Sequence, residues 1–423
     1  MEKIKNIGLI TSILMLSFLS KIQSQNSLSI QQCYELATKN YPLVKQLELI
    51  EKTKEYSIDN ASKGYLPQIN FAGQATYQSE VTKIPFALPN TTIKDLSKDQ
   101  YKIYGEINQS LTDAYVIKQQ KELIKTNTSS ETEKINVELY KLKERINQLF
   151  FGILLIDDQI KQTELLKKDI ESGIKKIEAA IANGIALKSN LDLLSAELLK
   201  ATQRNTELNY NRKGFTDMLS VFINQSLNET TSFSHPSIQA ITNNINRPEL
   251  KLFEAQKNTI AIQNKLILAK NLPRLSLFFQ GGYGRPTLNF LSNDFGTYYI
   301  GGARFNWNIS GFYTYSKEKK IVGINQNMLD IQKDVFLFNT NLTLKQQNSE
   351  ISKLTDLIKT DNQIIKLREN VKITANNQLE NGTITTIDYL NYVNAENQAK
   401  QNLILHTTQL LLAQYNYQTT SGI

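Results

Sequence analysis

The sequence predicts a mainly α-helical protein with a small membrane β-barrel, built from a duplicated unit of two strands and a long helical hairpin. Three observations carry that reading. Stretches of strict two-residue alternation interrupt an otherwise polar, helical chain. A pair of prolines 25 residues apart occurs twice, both members displaced by 206 positions. Each half then runs 71 residues from the end of its second alternating stretch to the glycine of an Asn-Gly pair.

The first residues come before the fold. Lys3 and Lys5 precede a largely apolar run, Ile7–Ser20, and Ser24 offers a small residue for cleavage. This is the pattern of a secretory signal, and the run is too short to span a bilayer comfortably. With residues 1–24 set aside as a signal peptide, the net charge falls from +8 to +6. No later stretch approaches a membrane helix in length, so any membrane entry must be as a barrel. Cys33 is the one cysteine, which excludes an internal disulfide. Its Ser-Ile-Gln-Gln-Cys context lacks the small residues of a lipid-attachment signal and reads as a buried thiol. Lys alternates with Glu and Asp along the helices, as on a solvated face, which argues against a nucleic-acid partner.

The first unit, residues 25–235, has Pro42 and Pro67; the second, 236–423, has Pro248 and Pro273. After Pro67, Ile69, Phe71, Ala75 and Tyr77 alternate with Gln68, Asn70, Gln74 and Thr76. After Pro273, Leu275, Leu277, Phe279 and Tyr283 stand against Ser276 and Gln280. A second alternating stretch sets Tyr101, Ile103 and Ile107 against Lys102, Glu106 and Asn108. Its counterpart sets Tyr299, Ala303, Phe305, Trp307 and Ile309 against Arg304, Asn306 and Asn308. The expected strands are 67–78, 101–110, 274–285 and 297–309. Strands of about ten residues cross a bilayer when tilted, and the tyrosines and Trp307 near their ends suit an interfacial belt. A soluble antiparallel sheet with one wet face gives the same alternation.

The helices favour the membrane reading. Asp113 and Gly311, then Gly184 and Gly382, are each 198 positions apart. The two hairpins, 113–224 and 311–420, therefore have equal outgoing legs of about 105 Å and end level. The first outgoing helix keeps an apolar seam from Ile135 through Leu142, Ile146, Ile153 and Ile170 to Ile181, in steps of three and four. The second starts a similar seam at Ile321, Ile324, Met328, Ile331, Val335, Phe338 and Leu342. That period means a helix paired in a left-handed coiled coil, with the returning helices as expected partners. Four strands cannot close without edges, and an open edge is intolerable in lipid. Three chains supply twelve strands, whereas two supply eight, which fill with their own side chains; a homotrimer follows.

At this point the chain resembles the TolC-like outer-membrane efflux family over essentially its whole mature length. The resemblance rests on "LSIQQCYELATKNYP", the strand entries "YLPQI" and "NLPRL", "RPELKLFEAQ", and the tip segments "NGIALKSNLDLLSAELLKA" and "NGTITTIDYLNYVNAENQAKQN". One departure concerns the family's Pro-Leu-Phe turn from strand to helix. Here "QSLTD" and "WNISG" put Ser110 and Asn308 where the proline stands, and the bend is expected to survive. The loop of about Thr230–Asn246, with His235, reads as featureless.

The resemblance implies a trimeric duct, a twelve-stranded β-barrel in the outer membrane continued by an α-helical barrel across the periplasm. Such a duct serves a tripartite efflux or type I secretion system, with a periplasmic adaptor and an inner-membrane pump as partners, and needs no cofactor. The tips, Asn183, Gly184 and Ile185 with Asn381, Gly382 and Thr383, are uncharged and end together, which marks them for adaptor docking. In the family, acidic residues six and nine positions after the second tip glycine form an electronegative ring. Those positions hold Asp388 and Asn391, with Asp192 a second candidate in the first half. Asp388 also suits the first turn of a helix. The polar strand positions Gln68, Asn70, Gln74, Lys102, Glu106, Arg304 and Asn306 are expected to line the barrel lumen, with Phe305 and Trp307 toward lipid. His235 and His406 are far apart without metal-ligand spacing, and no phosphate loop appears, so bond chemistry is not expected. The rival reading is a trimeric coiled-coil scaffold or adhesin that passes nothing.

Overall fold

The computed structural model describes residues 27–82, 96–237, 244–289 and 292–422; the expected signal peptide lies outside them. In chain order the elements are α1 (Ile30–Asn40), α2 (Lys45–Ser62), β1 (Gln68–Tyr77), β2 (Asp99–Ser110), α3 (Ala114–Tyr140) and α4 (Leu142–Ala182). There follow α5 (Lys188–Ile223), α6 (Pro248–Lys270), β3 (Arg274–Arg285), β4 (Gly296–Asn306), α7 (Phe312–Glu380) and α8 (Thr386–Ser421). The chain divides into two compact units. One holds the strands with α2, α3, α6 and the start of α7; the other holds α1, the helical hairpins and the chain's last residues.

In the strand unit the four strands form one antiparallel meander, β1-β2-β3-β4. Gln68 pairs with Asn108, Glu106 with Gln280, and Ser276 with Arg304. Because side chains alternate along each strand, this register puts Ile69, Phe71, Ile103, Ile107, Leu277, Phe279, Tyr299 and Phe305 on one face. The face is bare, with Phe71 84% and Tyr299 73% exposed. The opposite face is mixed: Tyr104, Phe278, Tyr298 and Ile300 sit among its polar groups, the rings lying over Gly282 and Gly302, where a Cβ would meet them at 3.0–3.1 Å. β1 and β4 are the outer strands, so the described sheet ends in two open edges.

Two strand ends differ from expectation by more than one residue. β2 begins at Asp99 rather than 101, since Asp99 is held by Arg285 of the neighbouring strand. β4 ends at Asn306 rather than 309. Trp307 leaves the ladder to donate its indole N–H to the Asn271 carbonyl at 3.1 Å, and Ile309–Gly311 forms a 3₁₀ turn. The bends into α3 and α7 survive without proline because side chains replace it. The Ser110 hydroxyl accepts from the Asp113 amide at 3.3 Å, and the Ser310 hydroxyl donates to the Asn308 side chain at 2.5 Å.

In the hairpin unit α4 packs on α5 and α8, with α1 against α4 and α5. The first seam is buried: Leu142, Ile146, Ile153 and Ile170 are each at most 3% exposed. The second seam is a correction. Ile321, Ile324, Met328, Ile331, Val335, Phe338 and Leu342 are all more than half exposed. The returning α8 has 36 residues against 69 in α7, about 54 Å against 104 Å. It therefore covers only the far part of α7, packing Leu410 and Tyr417 against Leu344, Ile351 and Leu354.

The linker between the halves is also less featureless than expected. Leu28 and Phe233 form a parallel bridge, with the Leu28 amide donating to Ser232 at 2.9 Å and the Ser234 amide to Leu28 at 3.1 Å. Leu28 and Ser234 stand 206 apart, the repeat offset itself, so equivalent segments of the two halves pair with each other. Phe233 is buried edge-on against Phe150.

Candidate functional site

The strand unit gathers one candidate surface. The register brings Gln68, Asn70, Gln74, Lys102, Glu106, Arg304 and Asn306 onto a single face of the sheet. Glu106 and Arg304 occupy equivalent positions in the two halves, 198 apart, and form an ion pair at 3.3 Å. The Arg304 guanidinium also stacks over the Phe278 ring at 4.6 Å, so this cation is fixed by a neighbouring carboxylate and a ring. Phe305 is on the opposite, apolar face; Trp307 lies beyond the strand and belongs to neither face.

The hairpin unit gathers a second. Gly184 and Gly382 have φ of +71° and +65°, the left-handed conformation that ends a helix on glycine. The closing bonds are the same at both tips. Gly184 donates to Ile181 at 2.9 Å and Ile185 to Ala180 at 2.8 Å, while Gly382 donates to Leu379 at 3.1 Å and Thr383 to Gln378 at 2.9 Å. The two tips meet around a cleft of about 550 Å³ lined by Asn183, Ile185, Asn190, Gly382, Ile384 and Thr385. Lys176 closes one side, bonded to Glu380 at 2.5 Å and Asn376 at 2.7 Å. Ile185 and Leu187 are more than 70% exposed at the end of the first hairpin.

The tips differ in how the returning helix starts. α8 opens with a reciprocal capping box: the Thr385 hydroxyl accepts from the Asp388 amide at 3.1 Å, and the Asp388 carboxylate accepts from the Thr385 amide at 3.3 Å. α5 opens on Leu187 with no side-chain cap. Asp388 and Asn391 are exposed one turn apart on α8, and Asp192 is exposed on α5.

Behind the tips lies a charged cluster that sequence reading missed. Glu396 is 2% exposed yet sits between two cations, Lys372 at 3.2 Å and Lys400 at 2.5 Å. Lys372 also reaches Asp169 of α4 at 2.8 Å, and Lys400 reaches Glu369 at 2.9 Å. Burial works against the charged form of Lys400, but its bonds to Glu396 and Glu369 prevail and raise its pKa. Nearby, burial, reinforced by the Asp169 carboxylate, pushes the Tyr389 hydroxyl up to about 12. Only the i,i+4 spacing of Glu396 and Lys400 was visible beforehand, and it is shared with many solvated pairs.

Elsewhere in this unit, Arg212 forks onto Asp157 at 2.5 and 3.4 Å and donates to the Thr231 carbonyl at 2.9 Å, latching the linker to the first hairpin. His235 lies 3.7 Å from Asp158, and the His406 ring bonds Asp361 at 2.6 Å. Among the described residues no helix is long and apolar enough to cross a membrane.

The fold is similar to that of solved outer-membrane channels. CusC, studied in folding and transmembrane channel formation, matches at a TM-score of 0.68 with 12% identity, covering 92% of this chain and 91% of that one. The outer-membrane protein VceC of Vibrio cholerae matches at 0.63 with 12% identity, covering 92% and 95%. The outer-membrane channel MtrE of Neisseria gonorrhoeae, in its open state, matches at 0.65 with 11% identity, covering 93% and 88%. No family model matches the chain, and no curated protein is significantly similar to it. The likeness is therefore one of fold, shared with proteins described as channels in the case of CusC and MtrE and as an outer-membrane protein in the case of VceC.

Proposed function

Given that the chain has the fold of the TolC-like outer-membrane channels, we propose that it is an outer-membrane exit duct of a Gram-negative cell, passing cargo from an inner-membrane pump through a periplasmic extension. The observation that carries the reading is the sheet: an apolar face exposed end to end, a face with paired charges, and two unpaired edges. A lone soluble sheet has no reason to leave so much apolar surface bare. Closure with two further copies joins β1 to β4 around a ring of twelve strands, removes the edges and turns the Arg304–Glu106 face inward to water. The bare stripe on α7 is the matching helical surface, covered in this reading by the neighbouring copy. The supporting partners are those of a tripartite efflux or type I secretion system.

In this duct the paired tips are the adaptor contact, and Asp388, with Asn391 and Asp192 as secondary positions, borders the periplasmic aperture. A ring of three like charges there attracts cations. The deciding experiment is single-channel recording of the purified full-length protein in planar bilayers. Stable unitary conductance supports the duct; an inserted protein that passes no current points to a scaffold or adhesin. Replacing Gly184 and Gly382 with Trp tests docking separately, since wild-type export and wild-type adaptor crosslinking in that variant remove the tips as the contact.

A further inference from the structure

Positive charge is concentrated where the strands give way to helices. The fifteen residues on the helical side of each strand end, 53–67, 111–125, 259–273 and 307–321, hold ten Lys against five Asp and Glu. That surplus of five falls within 60 residues of a 423-residue chain whose whole surplus is eight.

Most of these lysines lack a carboxylate partner. Lys118 and Lys121 on α3, Lys265 and Lys270 on α6, and Lys317 and Lys320 on α7 have none within ion-pair distance among the described residues. Glu122, which feels Lys118 and Lys265 at longer range, is already held by Lys125 at 2.8 Å. Further along these helices some lysines are paired, Lys134 with Glu131 at 2.6 Å and Lys257 with Asp330 at 2.9 Å, while Lys333 and Lys345 on α7 have no ion pair among the described residues.

Aromatic rings share the zone. Tyr313 is 83% and Tyr56 67% exposed, and Lys121 and Lys319 lie over the rings of Tyr65 and Tyr315 at 5.9 and 5.6 Å. Lys118 and Lys121 stand about 6 and 10 Å along α3 from its start, and Lys317 and Lys320 about 8 and 12 Å along α7. A headgroup layer is about 5–7 Å deep, and charge acts across a further 8 Å or so at physiological salt. Flexible lysine stems extend the reach.

We propose that this collar of unpaired lysines and exposed aromatics is a docking surface for the anionic headgroups of phospholipids in the periplasmic leaflet. The proposal rests on the membrane reading of the sheet given above. Rings at headgroup depth and free ammonium groups just beyond them are the pairing an anionic lipid surface selects. Lysines lining the lumen instead would face water and show no lipid preference.

Trp307, the single tryptophan, lies at the edge of the collar and serves as the native reporter. The full-length protein is reconstituted in phosphatidylcholine vesicles containing about 20 mol % of either brominated phosphatidylglycerol or brominated phosphatidylcholine. In low salt, quenching of Trp307 by the anionic lipid is expected to exceed quenching by the neutral one about twofold. The ratio is expected to fall to about one in roughly 1 M salt. Lys118→Gln, Lys121→Gln, Lys317→Gln and Lys320→Gln together should bring it to about one at low salt, since glutamine keeps the helix but not the charge. The wild-type salt titration stands without the variant should the latter fail to fold. Equal quenching by both lipids in wild type overturns the collar and leaves the sheet in the bilayer. Quenching by neither overturns the membrane reading itself.

Discussion

Asp388 is asked to do two things, and Thr385 separates them. Its carboxylate caps α8 through the Thr385 amide, and the proposed duct gives it a second role at the aperture. Thr385→Ala removes the hydroxyl that caps the Asp388 amide and should cost about 1 kcal/mol, read as faster hydrogen exchange at Thr386–Asp388, while the carboxylate remains. Asp388→Asn removes the charge. If Asp388 borders the aperture, Asp388→Asn relieves block by divalent or trivalent cations from the periplasmic side and Thr385→Ala does not. Equal block in Asp388→Asn and wild type leaves Asp388 a cap only. A second residue-scale expectation concerns Cys33, wholly buried on α1. Burial pushes its thiol from 9.0 up to about 12. The folded chain therefore keeps a proton that the unfolded chain releases near pH 9. The resulting stabilisation is complete below about pH 9 and is lost as pH rises toward 12. Iodoacetamide at about pH 8.5 should leave Cys33 unmodified in the folded protein and alkylate it in urea, where the thiolate is the reactive form.

Among the elements, the alternation of Gln68–Tyr77 and the three later strands was legible because a sheet bare on one face imposes a strict period of two. The strand ends were less so. Trp307 and Ile309 keep the alternation by residue type, yet the indole bond to Asn271 takes the backbone out of the ladder. The seam of α7 was legible as a period but not as a contact. Nothing in Ile321–Leu342 states that the returning helix stops short, and only helix length decides that. The Glu396 cluster was illegible for a related reason: its five members lie on three helices, and their convergence is tertiary. Removing one partner from a buried charge group is costly. Glu396→Ala leaves Lys372 and Lys400 facing each other without their shared carboxylate, and should destabilise the hairpin by about 3–5 kcal/mol. Chemical denaturation of the purified protein measures this. A loss below about 1 kcal/mol would mean that Asp169 and Glu369 compensate.

For the molecule as a whole, the proposed closure with neighbouring copies turns the surfaces left bare by one chain into an interface. Ile324 and Ile331 are 56% and 61% exposed in one chain, and covering them with a neighbouring copy should hold the assembly together. Ile324→Glu with Ile331→Glu is expected to shift detergent-solubilised protein from trimer to monomer in native mass spectrometry, while helix content stays unchanged. A wild-type monomer, or an unaffected variant trimer, removes the stripe from the interface. The matched tips carry a further consequence, in the history of the gene rather than in its product. Lys176 and Glu380 join the two hairpin ends through a 2.5 Å bond, so a change of length in one outgoing helix alone breaks that contact. Losing seven residues from α4 would draw its tip back by about 10 Å, and Lys176 would no longer reach. Only matched insertions and deletions in the two outgoing helices preserve that contact, and descendants of this chain should keep the two legs, Asp113 to Gly184 and Gly311 to Gly382, equal to each other in length even where little else of the sequence survives.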